Sequence, residues 1–482
     1  MTRFRPSLLV ACLLIVIAWT GTAAAELRVG GAVQNIDPKK VPVSVVGYFT
    51  ARYASDVYDE LAARTLVIAD DDTTAAIQVV DSCGIARKQI DEAKAIASEA
   101  TGIPAANMFI AATHTHSAPA AMPGLGTDAD PDYQRQLVDQ MAASIVAAAE
   151  SLRPAEAGWG RTQAEKFAYC RRWRMQPGTA ETVPFTGHAE NAVQMNPGHK
   201  NPNKIEQVGP VDPDVSVLAF RDPETKRPLA VLANFNTHYA GAPMMSADYF
   251  GVVCREIGGQ LAEDEPDGFV ALMSNGTSGD ANCIDFATVP APKFDHVEVA
   301  EHVMGKAVEA YRGISNWSAD LPLAVAGVDF TLGRRVPTED EVAAARAAVA
   351  DWIDERLPQS KPEVYARETL LLAEEPATET IRLQTLALGD FALTAIPCEV
   401  YGSTGLTLKE RSPFGFTMNL GWANGYSGYL PPPDQHALGG YTTWRCRSSF
   451  LEEDAEPKIV DELLGQLEAL RREVGDVGGP SD

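Results

Sequence analysis

Residues 111–120 read AATHTHSAPA, with His114 and His116 two apart behind an apolar run. If the run Met108–Thr113 is a strand that continues, alternate residues point to one side, and both imidazoles can face one cavity. Neutral imidazole is a common metal ligand, so HxH at a strand end signals a metal site. A bound metal needs three or four ligands, and other apolar runs in the chain end in the same way. Leu229–Phe235 runs into Asn236-Thr237-His238, and Phe391–Ile396 runs into Pro397-Cys398-Glu399. Phe416–Leu420 leads into GWANGYSGY, a loop carrying Tyr426 and Tyr429. Gly268–Met273 leads into Ser274–Asn282, a turn-forming loop with many backbone amides. Asp248, in SADY, is a candidate to support a ligating histidine from behind.

The other histidines are weaker candidates. His188 and His199 lie in a long polar segment, His296 and His302 near a helix start, and His436 in a proline-rich loop; solvation or capping accounts for them. A serine nucleophile is disfavoured, because Gly276-Thr277-Ser278-Gly279 lacks the GxSxG spacing of a nucleophile elbow.

The elements that must position these groups alternate between strands and helices. Thr65–Ala69 and Ala75–Val80 form a hairpin, as do Ser216–Phe220 with Leu229–Phe235 and Ile381–Leu388 with Phe391–Ile396. Helices are expected over Ala86–Ala100, Tyr133–Leu152, Val342–Arg356 (behind the capping box Thr338–Glu341) and Pro457–Val474. Met175–Pro213 has no periodicity and is expected to be a lid or an insert. No internal repeat is visible, and no linker divides the chain. Strand-end polar groups of this kind are how open α/β sheets build sites. The expected fold class is therefore α/β, with mixed β-sheets flanked by helices in one large domain.

The chain has 482 residues and a formal net charge of −25. That balance argues against nucleic acid and against electrostatic docking on anionic lipid. Residues 1–25 have the three parts of a signal peptide: Arg3 and Arg5, an apolar run from Leu8 to Trp19, and a small-residue end at Ala25. The mature chain, 26–482, is expected to be exported, periplasmic or secreted, and soluble or peripherally attached to membrane. It keeps six cysteines (Cys83, Cys170, Cys254, Cys283, Cys398 and Cys446), and their spacing leaves the pairing open.

Taken together, THTHS, ANGYSGY and the strand–Pro–Cys–Glu element resemble the catalytic domain of the neutral/alkaline, non-lysosomal ceramidase family. The resemblance runs from the Val29–Pro38 region to the Tyr441 region. It implies a zinc-dependent amidohydrolase that splits an N-acyl amide into a fatty acid and an amino lipid. Position by position, it implies that His114, His238, Glu399 and Tyr429 bind Zn2+. It makes Tyr441 a second active-site tyrosine, His116 a proton-transfer group beside the metal, and Arg171 an active-site arginine, with Arg172 the alternative. Two features depart from the family. Asn282, in GDAN, stands where the ceramidases carry a serine, and the chain is expected to lack their C-terminal β-sandwich. With zinc bound, the expected chemistry is hydrolysis by metal-activated water, with His116 moving a proton and Arg171, Asn282, Tyr429 or Tyr441 stabilising the oxyanion. Two other readings remain: a barrel-type metal-dependent amidohydrolase, which also uses HxH after a strand, and a secreted, non-catalytic binding protein on the same fold.

Overall fold

The computed structural model describes residues 27–262 and 268–475; the signal-peptide segment lies outside them. Its main body is three mixed β-sheets, and each repeats one plan. In the first sheet, Arg28–Asn35 pairs antiparallel with Ala62–Ala69, which forms a hairpin with Thr74–Val80. The helix Arg87–Thr101 then crosses over to Met108–Ala112, parallel to Thr74–Val80. The second sheet has the same order in Glu156–Gln163, Asp214–Arg221, Pro228–Phe235 and Val270–Asn275, with the crossover helix Asp248–Leu261. The third has it in Leu323–Gly333, Thr378–Leu388, Phe391–Ala395 and Phe416–Leu420, with Gly402–Arg411. A further helix follows each fourth strand: Pro131–Glu150, His296–Arg312 and Ala455–Val474. The fold is thus a threefold repetition, which corrects the expectation of no internal repeat.

Strand alternation assembles the three sheets around one core. Leu66 and Ile68, Leu218 and Leu232, and Leu386 and Leu393 share a single central cluster. The opposite faces, Ala63 and Val67, Val231 and Ala233, and Leu383 and Ala392, pack under their own helices in three outer clusters. Strands buried on both faces read as continuous apolar runs, which is why they were legible in the sequence. Among the described residues no sheet closes on itself, so the structure is not the barrel of the alternative amidohydrolase reading.

The topology also fixes where a site can form. In each repeat the first, third and fourth strands run in the same direction, so the C-terminal ends of the third and fourth meet the connection leaving the first. Those three connections, 36–61, 164–213 and 334–377, meet at one end of the molecule, where Tyr48, Glu181 and Lys361 line a common cavity. Ligand sites of open α/β sheets form at such carboxyl ends.

Local chemistry explains most boundaries. Asp130 accepts a hydrogen bond from Tyr133 N and precedes Pro131 at the helix start, placing that helix two residues earlier than expected. The capping box Thr338–Glu341 forms as read, but its helix ends at Val349 and the chain continues in turns toward Pro358. The region 175–213 is not structureless: Arg172–Met175 pairs with Val193–Met195 and Lys204–Gln207 in a small sheet. Three- and four-residue strands that pair across long loops leave no periodic signal. All six described cysteines are free thiols.

Candidate metal centre and its cavity

The connections after the third and fourth strands surround one cavity of about 580 Å³, lined by Cys83, His114, His116, His238, Glu399, Tyr426 and Tyr429, with Ser278 and Trp422 set behind the histidines. His114 and His116 follow Met108–Ala112, and Cys83 follows Thr74–Val80. His238 follows Pro228–Phe235, and Ser278 follows Val270–Asn275. Glu399 follows Phe391–Ala395, while Trp422, Tyr426 and Tyr429 follow Phe416–Leu420.

His114 does not continue its strand, as the HxH reading supposed. It adopts a left-handed backbone, φ 65°, and the turn rather than the pleat brings the two imidazoles together. His114 Nε2 lies 3.0 Å from His116 Nε2 and 3.1 Å from His238 Nε2. Backbone carbonyls hold the other ring nitrogens: His114 Nδ1 donates to Cys83 O at 2.6 Å and His238 Nδ1 to Ser278 O at 2.9 Å. With Nδ1 carrying the proton, both Nε2 atoms present lone pairs to each other. Glu399 adds a third donor, its Oε2 lying 3.6 Å from His114 Nε2 and 3.7 Å from His238 Nε2. That oxygen is buried without a hydrogen bond, whereas Oε1 accepts from the Tyr426 hydroxyl at 2.7 Å. Two facing lone pairs and an orphaned carboxylate oxygen repel one another unless a cation lies between them. The His114–His238–Glu399 group therefore fits a metal ion, and its donor set of two imidazoles and a carboxylate suits zinc.

The electrostatics agree. Burial, reinforced by the nearby Arg171 cation, pushes His114 down to about 3 and His238 well below the ordinary range, so both rings are neutral, the form of imidazole that ligates metal. Burial, His114 and Arg171 also lower His116. Burial raises Glu399 to about 7 against the opposing pull of Arg171 and of the Tyr426 and Tyr429 hydroxyls.

Packing sets the ring planes. Trp422 stacks on His114 with centroids 4.4 Å apart, and Tyr239 stacks on His116 at 3.9 Å. Neither aromatic was singled out in the sequence. Each directly follows or closely trails a strand end, and that position was the only available signal. Gly279 permits a close backbone crossing: a Cβ there would lie 2.4 Å from the Glu399 carbonyl.

Of the remaining candidates, Tyr429, Tyr441 and Arg171 line the cavity. Arg171 Nη2 donates to the Tyr429 hydroxyl at 3.3 Å and to Gly279 O at 2.8 Å. Tyr441 meets the Tyr429 ring edge-on, with centroids 6.0 Å apart. Arg172 points away. It bonds Gln435, Gly439 and Thr442 and thereby clamps the segment that carries Tyr441. The structure thus separates two arginines that the sequence left interchangeable. Asn282 is set back, because its Nδ2 donates to Asn196 Oδ1 at 3.0 Å and it is Asn196 that reaches the cavity. Asp248 supports no histidine, contrary to expectation. Its carboxylate accepts from the amides of Ala240, Gly241 and Ala242, fixing the loop behind His238.

No family model matches the sequence, and no curated protein matches it. Solved structures do. The chain is similar to a neutral ceramidase from Pseudomonas aeruginosa, with a TM-score of 0.69 at 18% identity, covering 95% of this chain and 77% of that one. A ceramidase structure described as complexed with C2 matches with the same TM-score at 16% identity and the same coverage. The fold of this chain is accordingly the mixed α/β fold of these ceramidases.

Proposed function

We propose that this protein is an exported, zinc-dependent hydrolase of N-acyl amides, its signal peptide cleaved near Ala25. The observation that carries the reading is the convergence of His114 Nε2, His238 Nε2 and Glu399 Oε2 on one point of a deep cavity in a ceramidase-like fold. Tyr429, whose hydroxyl stands beside Glu399 and Arg171, is the proposed fourth ligand. A zinc ion held there would supply Lewis acidity and lower the pKa of bound water toward about 7. The chain's own groups do the rest. His116, beside His114 and clamped by Tyr239, takes a proton from the attacking water and returns it to the leaving amine. Arg171, held by Gly279 O and Tyr429, aims a permanent cation at the carbonyl oxygen as charge develops, with Tyr441 beside it. Asn282 acts through Asn196 and holds that side chain at the cavity wall.

The test is metal content by mass spectrometry on the purified mature protein and on His114→Ala, with release of fatty acid from N-acyl amides followed before and after chelation. Near one zinc per chain, lost in the variant together with turnover, supports the reading. A protein that takes up no metal when zinc is supplied overturns it and favours a non-catalytic binding protein.

A further inference from the structure

The charges in the cavity carry information about the substrate beyond the amide. Five charged side chains line it: Arg52, Arg171, Glu181, Lys361 and Glu399. Lys361 and Glu181 form an ion pair and cancel. Glu399 belongs to the metal group. Two guanidiniums remain, and no carboxylate among the described residues lies within ion-pair distance of either. Arg171 is 4% exposed, donates only to neutral oxygens and leaves its Nε buried without a partner. Arg52 stands at the mouth, its guanidinium 3.7 Å above the Tyr48 ring. The Tyr48 ring in turn meets His116 edge-on, with centroids 6.0 Å apart. Arg52 is therefore one ring away from the reacting end of the cavity. Such a surplus of positive charge does not follow from composition, since the chain as a whole carries −25.

Arg171 faces the developing charge on the carbonyl oxygen, whereas Arg52 is exposed at the mouth, and a neutral amide seated over it would cover its guanidinium without supplying a counter-charge, which is costly. A carboxylate on the substrate would pair with Arg52, and a guanidinium fork matches that geometry. A fatty acyl half is hydrocarbon and suits the apolar wall of Val46, Phe49, Met122 and Leu125, so the charge belongs on the amine half. We propose that the cavity selects N-acyl amides whose amine half bears a carboxylate, that is N-acyl amino acids, with Arg52 as the specificity-determining residue at the mouth. This rests on the amide-hydrolase reading above. Hydrolysis breaks the amide C–N bond, forms a C–O bond from water and leaves the water protons on the released amino acid.

The experiment compares kcat/KM of the zinc-loaded mature protein on N-dodecanoyl-glutamate and on neutral N-dodecanoyl-ethanolamine, for wild type, Arg52→Gln and Arg52→Lys. The wild type should prefer the carboxylate by about tenfold or more, as expected of a charge-assisted pair. That preference should shrink with added salt, since Arg52 is at the exposed mouth. Arg52→Gln should lower the anionic-to-neutral ratio about tenfold, mainly through KM, with Arg52→Lys restoring part of it. Faster turnover of the neutral amide by wild type, or a ratio unmoved in Arg52→Gln, overturns the proposal and leaves the amidase intact. Turnover of neither substrate by a zinc-loaded protein overturns the amidase reading, and the proposal with it.

Discussion

Lys94 offers a sensitive check on how the repeats are held together. It projects from the crossover helix of the first repeat into the third, where its Nζ donates to Asn424 Oδ1 at 2.7 Å and to Gln384 Oε1 at 3.3 Å. Burial lowers it from 10.5 to about 7, with Arg382 and Arg87 adding to the shift against Asp91 and Asp329. Between pH 7 and 10.5 the unfolded chain therefore holds a proton that the folded chain does not, so stability rises with pH across that window. Below pH 7 the burial of the charge is felt in full, at roughly 4–5 kcal/mol for a displacement of that size. Lys94→Met removes the titration but leaves two buried acceptors short of a donor, a loss of about 1–3 kcal/mol. The stability difference should consequently swing by roughly 3 kcal/mol between pH 6 and pH 9, with the variant clearly the more stable at pH 6 and its advantage largely gone at pH 9. Urea unfolding of both proteins at each pH, in chelator to remove metal linkage, measures the difference, and groups common to both cancel. Profiles that stay parallel within about 0.5 kcal/mol would show that Lys94 is not buried as a charge.

The other expectations concern the site and its supports. Gly47 has φ +107°, and a Cβ there would lie 2.6 Å from His116 Nδ1; Gly47→Ala should displace His116 and lower kcat at least about tenfold while zinc content is unchanged. Asp248→Asn removes charge-assisted acceptance from three loop amides and should cost about 2–3 kcal/mol in denaturant unfolding, with weaker zinc retention by His238. Arg172→Gln frees the Tyr441 segment from its clamp and should lower Tm by several degrees and raise proteolytic cleavage near 433–443, whereas Arg171→Gln should reduce kcat with little change in Tm. Equal effects from the two arginine variants would contradict the separation of their roles.

The candidate metal donors were legible because each follows a strand that is apolar on both faces, and a polar residue just past such a run stands out. The fold class was readable for the same reason. The threefold repetition was not, because the repeats share topology while insertions of unequal length and unrelated sequence interrupt them at 36–61, 164–213 and 334–377. The short strands of 172–207 were also hidden, since pairs of that length have no period and depend on partners far along the chain. Asp248 was misassigned because spacing cannot show which backbone amides a carboxylate will meet.

By itself, then, the sequence determined the alternation of buried strands and helices, the residues that could ligate metal, and the acidic balance of the whole chain, all of which follow from side-chain type and local period. Only the tertiary structure decided the rest. It turned His114 out of its strand to face His238, set Glu399 Oε2 against both, separated Arg171 from Arg172, and placed Arg52 and Arg171 in one cavity with no carboxylate of the described residues within ion-pair distance. These are distances between residues remote in the chain, fixed by three sheets packing on a common core, and no local pattern encodes them.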